Sequence, residues 1–276
     1  MIIDKIKKVF CKKNDAHKLN NKEKVNYEFI YLLEQFFNEN EDLLYPSVAL
    51  KEYNLRKSGK IYTLNEHCEA LILAKLSNRQ KWQRIENNID EIRNIFFDYD
   101  CQKILNCEPE YFIEKIKSIK CGSQVTVRDF SNLHQNLEIL LKLEKEFGSI
   151  DNFLLSKPAY EIVKQFSDSK STLKMKTIGP ALAWEYLRNV GIDGAKPDIH
   201  LKRILSASRL HLSSNDEISD EEFYKIMSDI HKATNRLYIE LDNYLWSYCA
   251  YGQAEICTAE PKCGQCVIRK YCNRYW

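Results

Sequence analysis

The sequence predicts an all-α protein, and three observations carry the prediction. Glycine and proline are sparse, eight and six in 276 residues, so little interrupts regular structure. Long segments repeat their apolar residues at helical spacing. The one short strand-like run, "SQVTVRD" at 123–129, does not amount to a sheet. Ten or more helices are expected, with no internal repeat and no low-complexity linker.

Composition bounds the class. Hydrophobic residues make up 44% and charged residues 29%, the balance of a soluble chain. No apolar run approaches the length of a membrane span. The opening "MIIDKIKKVFCKKND" is too charged and too short in its apolar part for a secretory signal, which points to the cytoplasm. Cysteines there are metal ligands or buried apolar residues more often than disulfides. A net charge of +2 gives no overall basic signature. The charge is uneven, however. Residues 1–25 hold eight lysines against three acids, a patch that suits a polyanion and equally a solubilising tail. After Glu260, Lys262, Arg269, Lys270 and Arg274 meet no acid.

The elements follow in chain order. Residues 29–55, "FIYLLEQFFNENEDLLYPSVALKEYNL", are rich in aromatics. In "NEHCEALILAKLSNRQ" at 65–80, Cys68, Leu71, Leu73, Ala74 and Leu76 make one broad apolar stripe. In "SNLHQNLEILLKLEKEFGS" at 131–149, Leu133, Leu137, Leu140 and Leu141 keep helical spacing, and Gly148 is the stop. Gly179 and Pro180 then stand between a short turn and the helix "ALAWEYLRNV". Proline belongs in a first helical turn, and the free N–H groups there suit a phosphate, while taken alone such a start reads as structural. A loop with Gly191, Gly194 and Pro197 delivers Asp198, followed by His200 and Arg203. A carboxylate so placed is a candidate catalytic acid or base, and equally the N-cap of "IHLKRIL". "SDEEFYKIM" opens on a capping-box pattern, Ser219 with Glu222. "RLYIELDNYLWSYCAYG" is an apolar-rich helix that ends near Gly252.

Four of the ten cysteines close the chain, as Cys257-x5-Cys263-x2-Cys266-x5-Cys272. Lys262, Gly264, Gln265, Arg269 and Lys270 make this a polar loop rather than a core segment. Four cysteines this close converge on one centre, either zinc or a cubane iron–sulfur cluster. Zinc sites usually pair two short knuckles, and this loop has one, which favours [4Fe–4S] with zinc as the alternative. Cys11, Cys68, Cys101, Cys107, Cys121 and Cys249 have no ligand-like spacing, and Cys68 and Cys249 read as buried apolar residues.

The hairpin, the Asp-x-His-x-x-Arg segment and the cysteines, in this order, resemble the endonuclease III branch of the helix-hairpin-helix DNA glycosylases. In that family the hairpin runs roughly L-P-G-V-G-x-K-T-A, an aspartate follows in V-D-x-H, and the cluster loop is C-x6-C-x2-C-x5-C. Met175 to Ala183 match the hairpin, Asp198 the catalytic aspartate, and Cys257, Cys263, Cys266 and Cys272 the cluster ligands. "LILAKLSNRQKWQRI" is similar to the family's helix that ends in L-S-x-Q. The likeness covers about residues 64–272.

The resemblance implies two helical lobes with a DNA cleft between them. A barrel of residues 64–186 carries the groove loop and hairpin. Residues 187–276 carry Asp198 and the cluster, and residues 1–63 pack with them. Ser77, Asn78, Arg79 and Gln80 would enter the minor groove, with Gln80 and its neighbours filling the gap left by a flipped base. Backbone N–H groups around Thr177, Gly179 and Ala181 would grip phosphates, and Lys262, Arg269 and Lys270 would touch the DNA backbone. Trp82, Trp184 and Tyr186 are stacking candidates, and equally core. The implied partner is double-stranded DNA with a damaged or modified base, bound by a nucleoid-associated monomer.

Three positions depart from the family. The first cysteine gap is five residues. Thr177 stands at the hairpin's first glycine. Ala181 replaces the lysine whose amine would attack the sugar. The implied activity is therefore a monofunctional glycosylase without a lyase step, serving base excision repair or acting on modified foreign DNA. The rival is an iron–sulfur DNA-binding module without chemistry.

Overall fold

A computed structural model describes residues 27–275, so the basic run at 1–25 and Cys11 lie outside the described residues. Among the described residues the chain is all helix, with short 3-10 turns and no strand. The first helices are α1 (Glu28–Glu39), α2 (Val48–Lys57) and α3 (Leu64–Leu76). Shorter ones follow: α4 (Trp82–Glu86), α5 (Ile89–Ile95), α6 (Cys101–Leu105), α7 (Pro109–Ser118) and α8 (Thr126–Phe130). Then come α9 (Leu133–Phe147), α10 (Ile150–Leu155), α11 (Ala159–Ser167) and α12 (Pro180–Asn189). The last three are α13 (Ile199–Leu205), α14 (Asp220–Thr234) and α15 (Tyr238–Cys249).

Local chemistry sets many of these boundaries. The side chains of Ser47, Thr63, Asp100, Ser149, Asp198 and Ser219 each accept a bond from a first-turn N–H. Pro109 and Pro180 sit where a missing N–H costs nothing. Gly148 (φ 76°) and Asn235 (φ 55°) end α9 and α14 in the left-handed conformation. The strand-like run becomes a turn and α8. Thr126 Oγ1 accepts from Ser123 N–H at 2.6 Å, and Val127 points to solvent. The expected stripe on α3 is also too narrow a description. Ala70, Ile72 and His67 are buried with Cys68 and Leu71, while Leu73 is only half-buried, because α3 runs through the middle of its lobe.

Two cores result. One gathers residues from Tyr62 to Val190 around α3, α9 and α12. The other joins α1 to α13, α14 and α15 and the segment after them, from Phe29 to Ile268. Phe29, Ile30, Leu33 and Phe37 all lose their exposure in it. Arg236 Nη2 donates to both carboxylate oxygens of Glu34, 2.7 Å to each, and fastens α1 from outside.

Helix α2 spans the junction, packing on both α12 and α15. Gly191 lets α2 approach α12. Its φ is 72°, and a Cβ there would meet Glu52 O at 2.5 Å. A buried polar chain ties the same helices together. Arg56 on α2 meets Asp151 at 2.7 Å and donates to Val190 O at 2.7 Å. Asp151 Oδ1 also faces His67 Nε2 at 3.1 Å, and Tyr186 Oη lies 2.8 Å from His67 Nδ1. Burial lowers the His67 pKa, so the ring is neutral: Nε2–H donates to Asp151 and Nδ1 accepts from Tyr186.

Candidate active site

Asp198 opens α13. Its Oδ1 accepts from the N–H groups of His200 at 2.8 Å and Leu201 at 3.0 Å. The carboxylate is thus the helix cap, and the cap fixes its direction. It remains half-buried, at the junction of the two cores.

Two ion pairs flank it. Lys196 meets Glu185 at 3.0 Å, and Arg188 meets Asp242 at 2.8 Å. Lys196 N–H also donates to Asp242 Oδ2 at 2.7 Å, which ties the loop ahead of Asp198 to α15. Burial pushes Asp242 up to about 6, although Arg188 opposes the shift. Burial pushes Lys196 down, but Glu185 and Asp198 outweigh it and raise its pKa. Gly194 shapes this loop, since a Cβ there would come within 2.1 Å of the Trp184 ring.

An aromatic group stands beside these charges. Tyr45 comes from the segment between α1 and α2 and is anchored on α15. Its N–H donates to Ser247 Oγ at 3.1 Å, and Asn243 Nδ2 donates to its carbonyl at 3.1 Å. The Tyr45 hydroxyl donates to Glu86 at 2.7 Å and accepts from the Trp82 indole N–H. Trp246 meets Tyr45 edge-on at 5.5 Å and His200 at 6.3 Å. His200 Nδ1 lies 3.1 Å from an Arg203 nitrogen, and burial pulls its pKa down. Tyr45, Trp82, Glu86, Glu185, Asp198, His200 and Trp246 are all half-buried.

The hairpin leads into the N-terminus of α12. Met175 and Ile178 are buried and hold the turn, while Thr177 adopts φ 62°. A β-branched residue there costs on the order of 1–3 kcal/mol unless its surroundings impose it. The surroundings are Lys75 and Asn136. Lys75 Nζ donates to Thr177 Oγ1 at 3.0 Å and to Asp129 O at 2.9 Å. Asn136 accepts from Lys176 N–H at 2.6 Å and donates to Lys176 O at 3.0 Å. Burial pulls Lys75 down to about 7. Gly179 caps α12, Pro180 fills its first position, and Ala181 is half-buried next to them.

The groove loop is tied back at three of its four residues. Ser77 donates to Ala74 O at 2.8 Å, Asn78 to Asp129 Oδ2 at 2.6 Å, and Gln80 to Gly122 O at 2.7 Å. Arg79, with φ 57°, is the exposed one. Gln80, expected with its neighbours to fill the gap left by a flipped base, has its side-chain amide on Gly122 O. Trp184 and Tyr186 are likewise core residues, Tyr186 being 0% exposed.

Cys257 is buried and Cys263, Cys266 and Cys272 are half-buried. They lie within electrostatic reach of one another: Cys257 with Cys266 and Cys272, and Cys263 with Cys272. The Cys249 thiol donates to Cys257 and, against the push of burial, Arg209, Arg203 and Arg274 help hold Cys257 down to about 7. Cations around a thiol favour the thiolate that a metal centre needs. Among the described residues, no three Cys, His, Asp or Glu side chains stand close enough to hold a single metal ion. Lys262 and Lys270 are exposed, Lys262 with Glu255 at 3.8 Å and Lys270 over the Tyr271 ring. Arg269 is exposed between them.

Several of these residues escaped the sequence reading. Tyr45, Glu86 and Trp246 carry no motif. Lys75, Asp242 and Asn243 did leave a signal, since each is polar inside an apolar helix, where it needs a partner.

No family model matches the chain, and no curated protein does. Solved structures share its fold. The Methanocaldococcus jannaschii 8-oxoguanine glycosylase/lyase, in complex with a 15mer DNA containing 8-oxoguanine, is 22% identical over 82% of this chain and 98% of its own, with a TM-score of 0.55. The M. jannaschii 8-oxoguanine DNA glycosylase structure gives 21% identity over 83% and 98%, also at 0.55. The 8-oxoguanine DNA glycosylase of Thermotoga maritima gives 19% over 82% and 97%, again at 0.55. At these identities the likeness establishes the helical fold.

Proposed function

We propose that the chain is a DNA glycosylase that removes a damaged or modified base from duplex DNA by hydrolysis, without a lyase step. The observation that carries the reading is Asp198, half-buried between the two cores and aimed by the cap bonds at His200 and Leu201, on a fold shared with 8-oxoguanine glycosylases. Ala181 at the position of an amine nucleophile supports hydrolysis.

In this reading the hairpin N–H groups and Lys262, Arg269 and Lys270 hold phosphates, and Arg79 enters the groove opposite the extruded base. The base lies among Tyr45, Trp82 and Trp246. The bond from C1′ to the base nitrogen breaks, and its electron pair leaves with the base, which takes a proton from solvent. Water bonds to C1′ and gives its proton to Asp198, whose charge also stabilises the oxocarbenium-like transition state. Cys257, Cys263, Cys266 and Cys272 would hold a [4Fe–4S] cluster, with zinc the alternative. The cationic setting of Cys257 supports a thiolate centre. When bound, the cluster supplies rigidity to the basic loop. The partner is a damaged or modified duplex met by a monomer, in repair or against modified foreign DNA.

Asp198→Asn tests this. It keeps an N-cap acceptor, so the fold and DNA binding should persist. Excision from single-modified duplexes, 8-oxoguanine among them, should fall by about 10²–10³. Unchanged excision removes Asp198 from the chemistry. Binding without release of any base, by the unaltered protein, returns the chain to a DNA-binding module.

A further inference from the structure

We propose that Lys75 is the positioning residue of the hairpin turn, holding Thr177 in the backbone conformation that grips DNA and linking it to the groove loop. Lys75 lies in α3 at 2% exposure, and two of its acceptors belong to the hairpin. It donates to Thr177 Oγ1 at 3.0 Å and to Lys176 O at 3.4 Å. The third acceptor, Asp129 O at 2.9 Å, belongs to α8. The Asp129 carboxylate in turn takes Asn78 of the groove loop at 2.6 Å and Arg128 at 3.0 Å. One buried amine therefore stands between the two elements that would meet DNA on this lobe.

The chemistry explains an oddity of the turn. A left-handed residue is normally glycine, which needs no support. Threonine is disfavoured there but brings a hydroxyl, and that hydroxyl is what Lys75 holds. Lysine is costly at the centre of an apolar helix unless all its hydrogens find acceptors. Lys75 and Thr177, 102 residues apart, thus each supply what the other lacks. Asn136 completes the clamp through both polar groups of Lys176.

The inference rests on the glycosylase reading only for its DNA readout, so two measurements are paired. Lys75→Met should weaken duplex binding about tenfold, with the helical circular dichroism retained. The slope of log K against log salt should not change, because a side chain buried inside the lobe neutralises no phosphate. Thr177→Gly should restore binding in the Lys75→Met background, since glycine holds the turn unaided. Thr177→Val, which leaves the lysine in place, should lose binding as Lys75→Met does, and it decides the matter if the lysine variant fails to fold. Wild-type affinity in Lys75→Met or in Thr177→Val, or no rescue by Thr177→Gly, overturns the assignment. If the unaltered protein binds no duplex, the glycosylase reading fails. Lys75 is then judged by thermal unfolding of the two single variants and the double: coupled shifts support it, additive shifts overturn it.

Discussion

Asp151 shows how much one buried side chain organises. It takes Arg56, the His67 ring and, at 2.8 Å, the N–H of Tyr62. Burial alone would raise its pKa, but His67, Arg56 and the Tyr62 N–H outweigh burial and hold it at about 2. The sign follows from that depression. The stabilising contribution is complete above the ordinary aspartate value of about 3.9 and disappears as pH falls through about 2. His67 acts in the same direction, because its pKa is also depressed and acid must charge a buried ring. Urea unfolding should therefore show stability beginning to fall below about pH 6.5, where His67 charges in the unfolded chain, with about 2 kcal/mol more lost from Asp151 between about pH 4 and about pH 2. Asp151→Asn should cost about 3–5 kcal/mol at neutral pH by leaving Arg56 without its counter-charge, and should flatten the acid slope. A variant as stable as the parent would remove Asp151 from this role.

At the scale of elements, the loop between α12 and α13 places the carboxylate that matters. It is short, it turns on Gly191 and Gly194, and it is fastened to α15 through Asp242. Gly194→Ala drives a methyl into the Trp184 ring, so the loop or the indole must move. We expect a loss of about 1–3 kcal/mol in stability. Single-turnover excision should fall more than duplex affinity does, because Asp198 moves with the loop and the hairpin does not. Equal losses in both would mean that the loop does not aim the carboxylate. The element boundaries around this loop were legible in the sequence. Gly179, Pro180 and Asp198 act on neighbours within three residues, and their cap chemistry reads locally. The groove loop was less legible, since Gln80 and Asn78 find partners 42 and 51 positions away.

At the scale of the whole molecule, the second core is built from both ends of the described chain. Phe37 stacks on Tyr244 at 6.0 Å, and Tyr271 of the cysteine loop donates to Glu28 of α1 at 2.8 Å. The cysteine loop is pinned to α15 as well, where Val267 N–H donates to Tyr248 Oη at 3.0 Å. A metal centre in that loop would therefore stabilise the lobe as well as the loop. Cys266→Ser should lose bound iron and the broad visible absorption of an iron–sulfur centre, and should lower the melting temperature. Anaerobically purified parent protein without iron would overturn the cluster, and stoichiometric zinc in its place would select the alternative.

The sequence by itself determined the all-helical class, the helix starts at Pro180, Asp198 and Ser219, the stop at Gly148, and the spacing of hairpin, aspartate and cysteines. These are signals carried by residues a few positions apart, or by order along the chain. The tertiary structure decided which of those residues share a site. Tyr45 reaches Ser247 across 202 positions, and Lys75 reaches Thr177 across 102. Such pairs follow from how helices pack around two cores, and burial rather than proximity in the chain selects the polar partner each side chain must find.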